Sequence, residues 1–156
     1  MFRKMRRHGQ QLDQKTCEKI LDEAPRGVLA VLGDEGYPYA VPLDFVYDDG
    51  RIFFHSAVEG HKIDAIDACD KASFCVMDEG VREEGSWWYH FESVIAFGRI
   101  RRVTDEGQML AALRKLGNKY FPTAKQTEDD IARNFARVAV LELTVEHLTG
   151  KHVREK

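Results

Sequence analysis

The chain is poor in cysteine and proline, with three of one and four of the other in 156 residues. Cys17, Cys69 and Cys75 form no C-x-x-C pair, and an odd, scattered set excludes a disulfide framework. It fits reduced thiols in the cytosol. Cys75 lies in an apolar strand-like run and reads as a small core residue rather than a nucleophile. No sign of charge dominates: 23 Lys and Arg against 26 Asp and Glu leave a net charge of -3, which gives no nucleic-acid-binding surface. There is no apolar run long enough to span a membrane. The basic start, with Arg3, Lys4, Arg6, Arg7 and His8, is not followed by a signal-peptide core and reads as a solvated tail. The expectation is a cytoplasmic protein that engages neither membrane nor nucleic acid. With no repeat, low-complexity stretch or linker, residues 1–156 read as a single domain.

The common catalytic and nucleotide signatures are missing as well. No G-x-G-x-x-G follows a strand, and no G-x-x-x-x-G-K-[ST], G-x-S-x-G or H-E-x-x-H is present. His55 and His61 lie six residues apart with no cysteine or third histidine at ligand spacing, so no metal site is expected. His147 and His152 fall near a charged C-terminus and read as exposed.

What is present alternates between strand and helix signals. Asp13 can cap a helix through Cys17, Ile20, Leu21 and Ala24, which Pro25 and Gly27 stop. Val28–Leu32 is a continuous apolar run suited to a strand covered on both faces. Tyr37–Tyr47 reads as one long strand, and Asp48-Asp49-Gly50 as a hairpin turn leading to a strand over Arg51–Ala57. A short helix is expected over Gly60–Cys69, strands over Ala72–Asp78 and His90–Val103, and a helix capped by Asp105. A further short helix is expected over Glu128–Asn134, and a last strand over Val138–Val145. Six strands, mostly joined by tight turns, with three or four helices, predict a mainly β fold. The expected architecture is a six-stranded, closed or partly closed antiparallel barrel with flanking helices.

The informative stretch runs from Phe53 to Ile66 and joins a strand end to a helix start. Free N–H groups at a helix N-terminus favour anions, phosphate above all. Ser56 adds a hydroxyl, His61 an imidazole and Lys62 a full charge, while Gly60 allows close approach to the backbone. On the residues alone an ordinary capped helix with a snorkelling lysine is the simpler reading, because such turns are common.

The runs Gly27–Asp34, Gly36–Leu43, Phe54–Ile66 and Ser93–Gly98, taken together and in order, resemble the nitroimidazole-resistance (Nim) proteins. These belong to the pyridoxamine 5′-phosphate oxidase-like superfamily of FMN-binding split barrels. The resemblance implies a six-stranded split barrel and a homodimer with FMN shared between subunits. It places the FMN phosphate at Ser56, His61 and Lys62, with His55 close by. The isoalloxazine ring would lie along Tyr39–Leu43, with Val41 and Pro42 as apolar contacts, and Ser93 and Val94 match another flavin-lining position. The implied activity is transfer of electrons from reduced flavin to a small flat acceptor such as a nitro-aromatic, with reduced nicotinamide as donor. The other readings are a non-catalytic flavin-binding or storage protein, and a haem- or deazaflavin-binding split barrel. No residue stands out as a catalytic acid or base; His55 is the nearest candidate. The chain departs from the oxidases proper in carrying Asp44 where they hold a phosphate-binding lysine, and in lacking their C-terminal W…R-L motif. Trp87 and Trp88 match no family signature and read as a wall over the flavin or as packing residues.

Overall fold

The computed structural model describes residues 1–154. Helix α1 (Gln14–Glu23) starts at Asp13, whose carboxylate accepts the Thr16 N–H at 2.9 Å. Strands β1 (Gly27–Leu32), β2 (Pro38–Leu43), β3 (Val46–Asp48) and β4 (Arg51–Ala57) follow. Asp49 and Gly50 both take positive φ in the β3–β4 turn, the geometry whose twist matches a hairpin. Then come α2 (His61–Ala68), β5 (Lys71–Met77), β6 (Phe91–Val103), α3 (Glu106–Tyr120), α4 (Ala124–Asn134) and β7 (Val138–Val153). Asp105 caps α3 by accepting the Gln108 N–H at 2.8 Å. The order in the sheet is β2-β1-β5-β6-β7-β4-β3, with every pairing antiparallel.

There are seven strands rather than six, and β2 and β3 are left as free edges, so the barrel is split rather than closed. The expected strand over residues 37–47 breaks at Asp44-Phe45 because Phe45 turns fully into the core. Tyr120 at the end of α3 takes over its main chain. The Phe45 N–H donates to the Tyr120 hydroxyl at 2.9 Å, and that hydroxyl lies 2.7 Å from the Pro25 carbonyl and 2.9 Å from the Phe45 carbonyl. Lys119 bonds the Ala24 carbonyl at 2.8 Å and sits 4.1 Å from the centre of the Phe45 ring.

The last strand continues well past Val145, through a bulge opposite Phe97/Gly98. A Cβ on Gly98 would collide with the Thr144 carbonyl, so only glycine fits there. His147 and His152 are therefore half-buried strand residues, not tail residues. His147 stacks under Phe2 at 4.7 Å, and His152 Nδ1 lies 2.8 Å from Glu92. The basic start is pinned rather than free: Phe2 also meets Phe97 at 5.6 Å, and Gln11 bridges Lys151.

The main core lies on the inner face, where Leu29, Phe54, Phe74, Val94 and Leu141 meet α1 and α2. A second cluster sets Ala112 and Leu116 of α3 against Phe53, Val103 and Val140. The outer face of β2, β1, β5 and the first half of β6 belongs to neither cluster. Val28, Ala30 and Leu32 sit there opposite Pro42, Ala40 and Pro38, with Cys75, Met77, Ile95 and Phe97 alongside. Strand β1 is thus covered on one face, and Cys75 is half-buried on the outer face rather than in the core.

Candidate functional site

Strand β4 ends beside the start of α2. Gly60, at φ 120°, turns the chain, and its carbonyl accepts the N–H groups of Ile63 at 2.8 Å and Asp64 at 3.1 Å. The N–H groups of His61 and Lys62 are left without an acceptor among the described residues. Lys62 is half-buried, and no hydrogen-bond or ion-pair partner faces it among the described residues. Burial pushes its pKa below that of a free lysine, as expected of a cation lacking a counter-ion. The Ser56 hydroxyl, half-buried, is also unengaged.

His55 completes this corner. Burial pushes its pKa below 6.5 first of all; Asp44 and Asp130 pull it back up, and Lys62 pushes it further down. His61 is turned elsewhere. Its ring stacks on Tyr39 at 4.2 Å, and Nε2 accepts the Asp34 N–H at 3.4 Å, tying α2 to the β1–β2 turn. Of the residues expected around a phosphate, His55 and Ser56 line one cleft, Lys62 lies near enough to His55 to act on its charge without lining that cleft, and His61 offers its main-chain N–H.

The end of β4 also borders a cleft of about 650 Å³ walled by α3 and α4. Asp44, Tyr120, Phe121, Asp130 and Phe135 line it with His55 and Ser56. Of these, sequence reasoning flagged Asp44 only as a departure and missed the helix residues altogether. They follow His55 by 65 residues or more, and no local motif marks them.

Strand β2 runs along one free edge. Tyr39, Val41 and Leu43 pack inward on the main core, whereas Pro42 is exposed on the outer face with Pro38 and Ala40. Proline has no N–H, so the pairs Val28–Pro42 and Leu32–Pro38 must be the non-hydrogen-bonded ones of the ladder. The open edge then offers one donor, the Ala40 N–H, among the carbonyls of Pro38, Ala40 and Pro42. Ser93 lies on the outer face opposite Met77 and Lys151, and the Val94 side chain is wholly buried in the core. Neither lines the cleft. Trp87 and Trp88 stack on each other at 4.0 Å in the β5–β6 connection, also away from it. Among the described residues no cluster of His, Cys, Asp and Glu could hold a metal ion, and no helix is long and apolar enough to cross a membrane.

The family model described as pyridoxamine 5′-phosphate oxidase matches residues 13–152, from the cap of α1 almost to the end of β7. The chain belongs to the pyridoxamine 5′-phosphate oxidase family. Solved structures agree on the fold of this family member. A candidate 5-nitroimidazole antibiotic resistance protein from Bacteroides thetaiotaomicron superposes with a TM-score of 0.75 at 22% identity, over 91% of this chain and 86% of that one. A FAD-binding protein from Mesorhizobium loti gives 0.68 at 24% identity, over 92% and 97%. A FAD and heme binding protein from Mycobacterium smegmatis gives 0.76 at 18% identity, over 94% and 74%. No curated protein matches the sequence.

Proposed function

We propose that this family member binds FMN between two copies of itself and, once the flavin is reduced, passes electrons to a small flat acceptor such as a nitro-aromatic. The observation that carries this reading is the corner at the start of α2. A half-buried, unpartnered Lys62 sits there with two free main-chain N–H groups and an open Ser56 hydroxyl. Together they fit a phosphate dianion. The free β2 edge fits a flat ring that exchanges hydrogen bonds with main chain, and Pro42 gives it an apolar contact. The outer face, which Phe2 covers at Phe97 and His147 and which leaves Leu32 and Met77 exposed, fits a second copy, which would carry Ser93 into its partner's site.

Bound FMN would supply hydride and single-electron chemistry, with reduced nicotinamide as donor. The chain's own residues bind and orient it. His55, close enough to Lys62 for the two charges to interact, can exchange a proton near neutral pH. The cytoplasm, where scattered thiols stay reduced, is the compartment that suits this reading.

Titrating FMN and riboflavin into wild type and Lys62→Ala tests it. A charge-assisted hydrogen bond is worth about 1.5–3 kcal/mol, so FMN affinity should fall about ten- to a hundredfold, with riboflavin much less affected. Equal losses would remove Lys62 from the phosphate site. A haem absorption band in the purified protein, in place of flavin bands, would overturn the cofactor. Flavin binding without turnover of reduced nicotinamide and nitro-aromatics would leave a binding or storage protein.

A further inference from the structure

The half of the cleft beyond His55 has a chemistry of its own, and it is rich in acceptors. Arg26 Nε meets Asp44 through Oδ1 at 2.8 Å, and Asn134 Nδ2 meets Asp130 through Oδ1 at 2.9 Å. The second oxygen of each carboxylate, Oδ2, has no hydrogen-bond partner among the described residues. His55, held neutral at neutral pH by its lowered pKa, offers one unprotonated ring nitrogen. On the donor side stand the Ser56 hydroxyl and Arg137, which is already engaged through Nη2 with Asn134 Oδ1 at 2.7 Å. Tyr120 and Phe121 keep 38% and 39% of their surface exposed at the cleft. Phe135 joins them as a third aromatic wall.

We propose that this half of the cleft is a subsite for a planar heteroaromatic ring that carries N–H donors, an amino- or ammonium-bearing ring. Flat aromatic walls suit a flat ligand. N–H groups on its edge would find two free carboxylate oxygens and an imidazole nitrogen, and hydrogen bonds to a carboxylate are among the strong ones. Arg26 at Asp44 and Arg133, 4.0 Å from Asp130 Oδ1, balance the two carboxylates, and Arg137 also lines the cleft, so selection works through hydrogen bonding to the ring's N–H groups rather than through net charge. The placement beside a flavin rests on the function proposed above. Such a ring has two sources: the adenine of a flavin dinucleotide reaching in from the phosphate corner, or a free amino-substituted acceptor.

The experiment titrates four ligands by calorimetry: FMN, FAD, an aminopyrimidine and the same ring without its amino group. The two small rings are tested with and without FMN present. The proteins are wild type, Asp130→Asn and Asp44→Asn, near-isosteric changes whose folding is checked by circular dichroism. Wild type should bind the aminopyrimidine at least about tenfold more tightly than the ring without its amino group, the size of one charge-assisted hydrogen bond. Either substitution should close most of that gap. If adenine is the natural ring, FAD binds more tightly than FMN, and Asp130→Asn weakens FAD alone. If a free acceptor is, the two flavins bind alike, and the FMN-loaded protein takes up the aminopyrimidine. Wild type that binds both small rings equally, or neither, overturns the subsite, and so does a gap that persists in a folded variant. Failure of both flavins to bind while ring selectivity survives would overturn the flavin reading and leave the subsite standing.

Discussion

At the scale of the residue, two groups have a lowered pKa: Lys62, which is half-buried, and His55, which is exposed in area yet partly desolvated by its neighbours. Desolvation disfavours the protonated form of each, and for Lys62 no counter-ion offsets it. For His55 the direction sets a pH dependence. Its pKa is lower in the folded chain than the ordinary 6.5, so as pH falls the unfolded chain takes up that proton first. Its contribution to stability is present above about pH 6.5 and is lost as pH falls through the folded pKa. The melting temperature should therefore decline between pH 7 and pH 5, and His55→Gln should flatten that decline. An unchanged slope in the variant would show that His55 does not titrate in this way. A phosphate at Lys62 would act in the opposite direction, raising the His55 pKa. FMN binding at mildly acid pH should then take up protons, read as a heat of binding that varies with the ionisation heat of the buffer.

At the scale of the element, the end of α3 holds the break between β2 and β3. The Tyr120 hydroxyl accepts from Phe45 and can donate to one carbonyl at a time, that of Pro25 or that of Phe45. Tyr120→Phe leaves the Phe45 N–H without its partner and should cost about 1–3 kcal/mol in urea unfolding. No loss would mean that water serves the break equally well. The two helices also pack closely, since a Cβ on Gly117 would strike Thr127. Thr127 is 1% exposed and its hydroxyl has no partner among the described residues. Thr127→Val keeps the shape and removes the orphan, so it should raise stability by about 1 kcal/mol. A loss would reveal a partner for that hydroxyl. The β5–β6 connection is of another kind. Val81 and His90 exchange main-chain bonds at its base, while Trp87 is 73% exposed. Trp87→Ala should leave the unfolding free energy within about 0.5 kcal/mol of wild type, and a large loss would show the indole to be a packing residue.

At the scale of the whole molecule, the outer face of β2, β1, β5 and the first half of β6 is covered by Phe2 at Phe97 and left open at Leu32 and Met77. Ile95 sits in its middle, opposite Cys75. If two copies close on this face, sedimentation gives a dimer, and Ile95→Arg should yield a folded monomer that loses FMN, because a desolvated charge cannot be paired there. A wild-type monomer that holds stoichiometric FMN would sink the arrangement.

Much of this was legible in the sequence where the cause is local. Asp13 and Asp105 announce their helices because a cap acts within three residues. Asp49-Gly50 announces its hairpin because the turn needs positive φ at both positions. The corner proposed for a phosphate suggested itself because Ser56, Gly60 and Lys62 lie within seven residues of chain. What those residues face was decided by the tertiary structure. Helix α2 turns the His61 ring onto Tyr39 and leaves Lys62 without a partner. Phe45 breaks a strand because a hydroxyl 75 residues away takes its main chain. Asp44 and Asp130 share a cleft because α3 and α4 fold back over the end of β4. The apolar run of β1 reads as two buried faces, yet the fold covers only one. Hydrophobic pattern records that a surface is to be kept from water, and only the packing of distant elements determines what, if anything, lies against it.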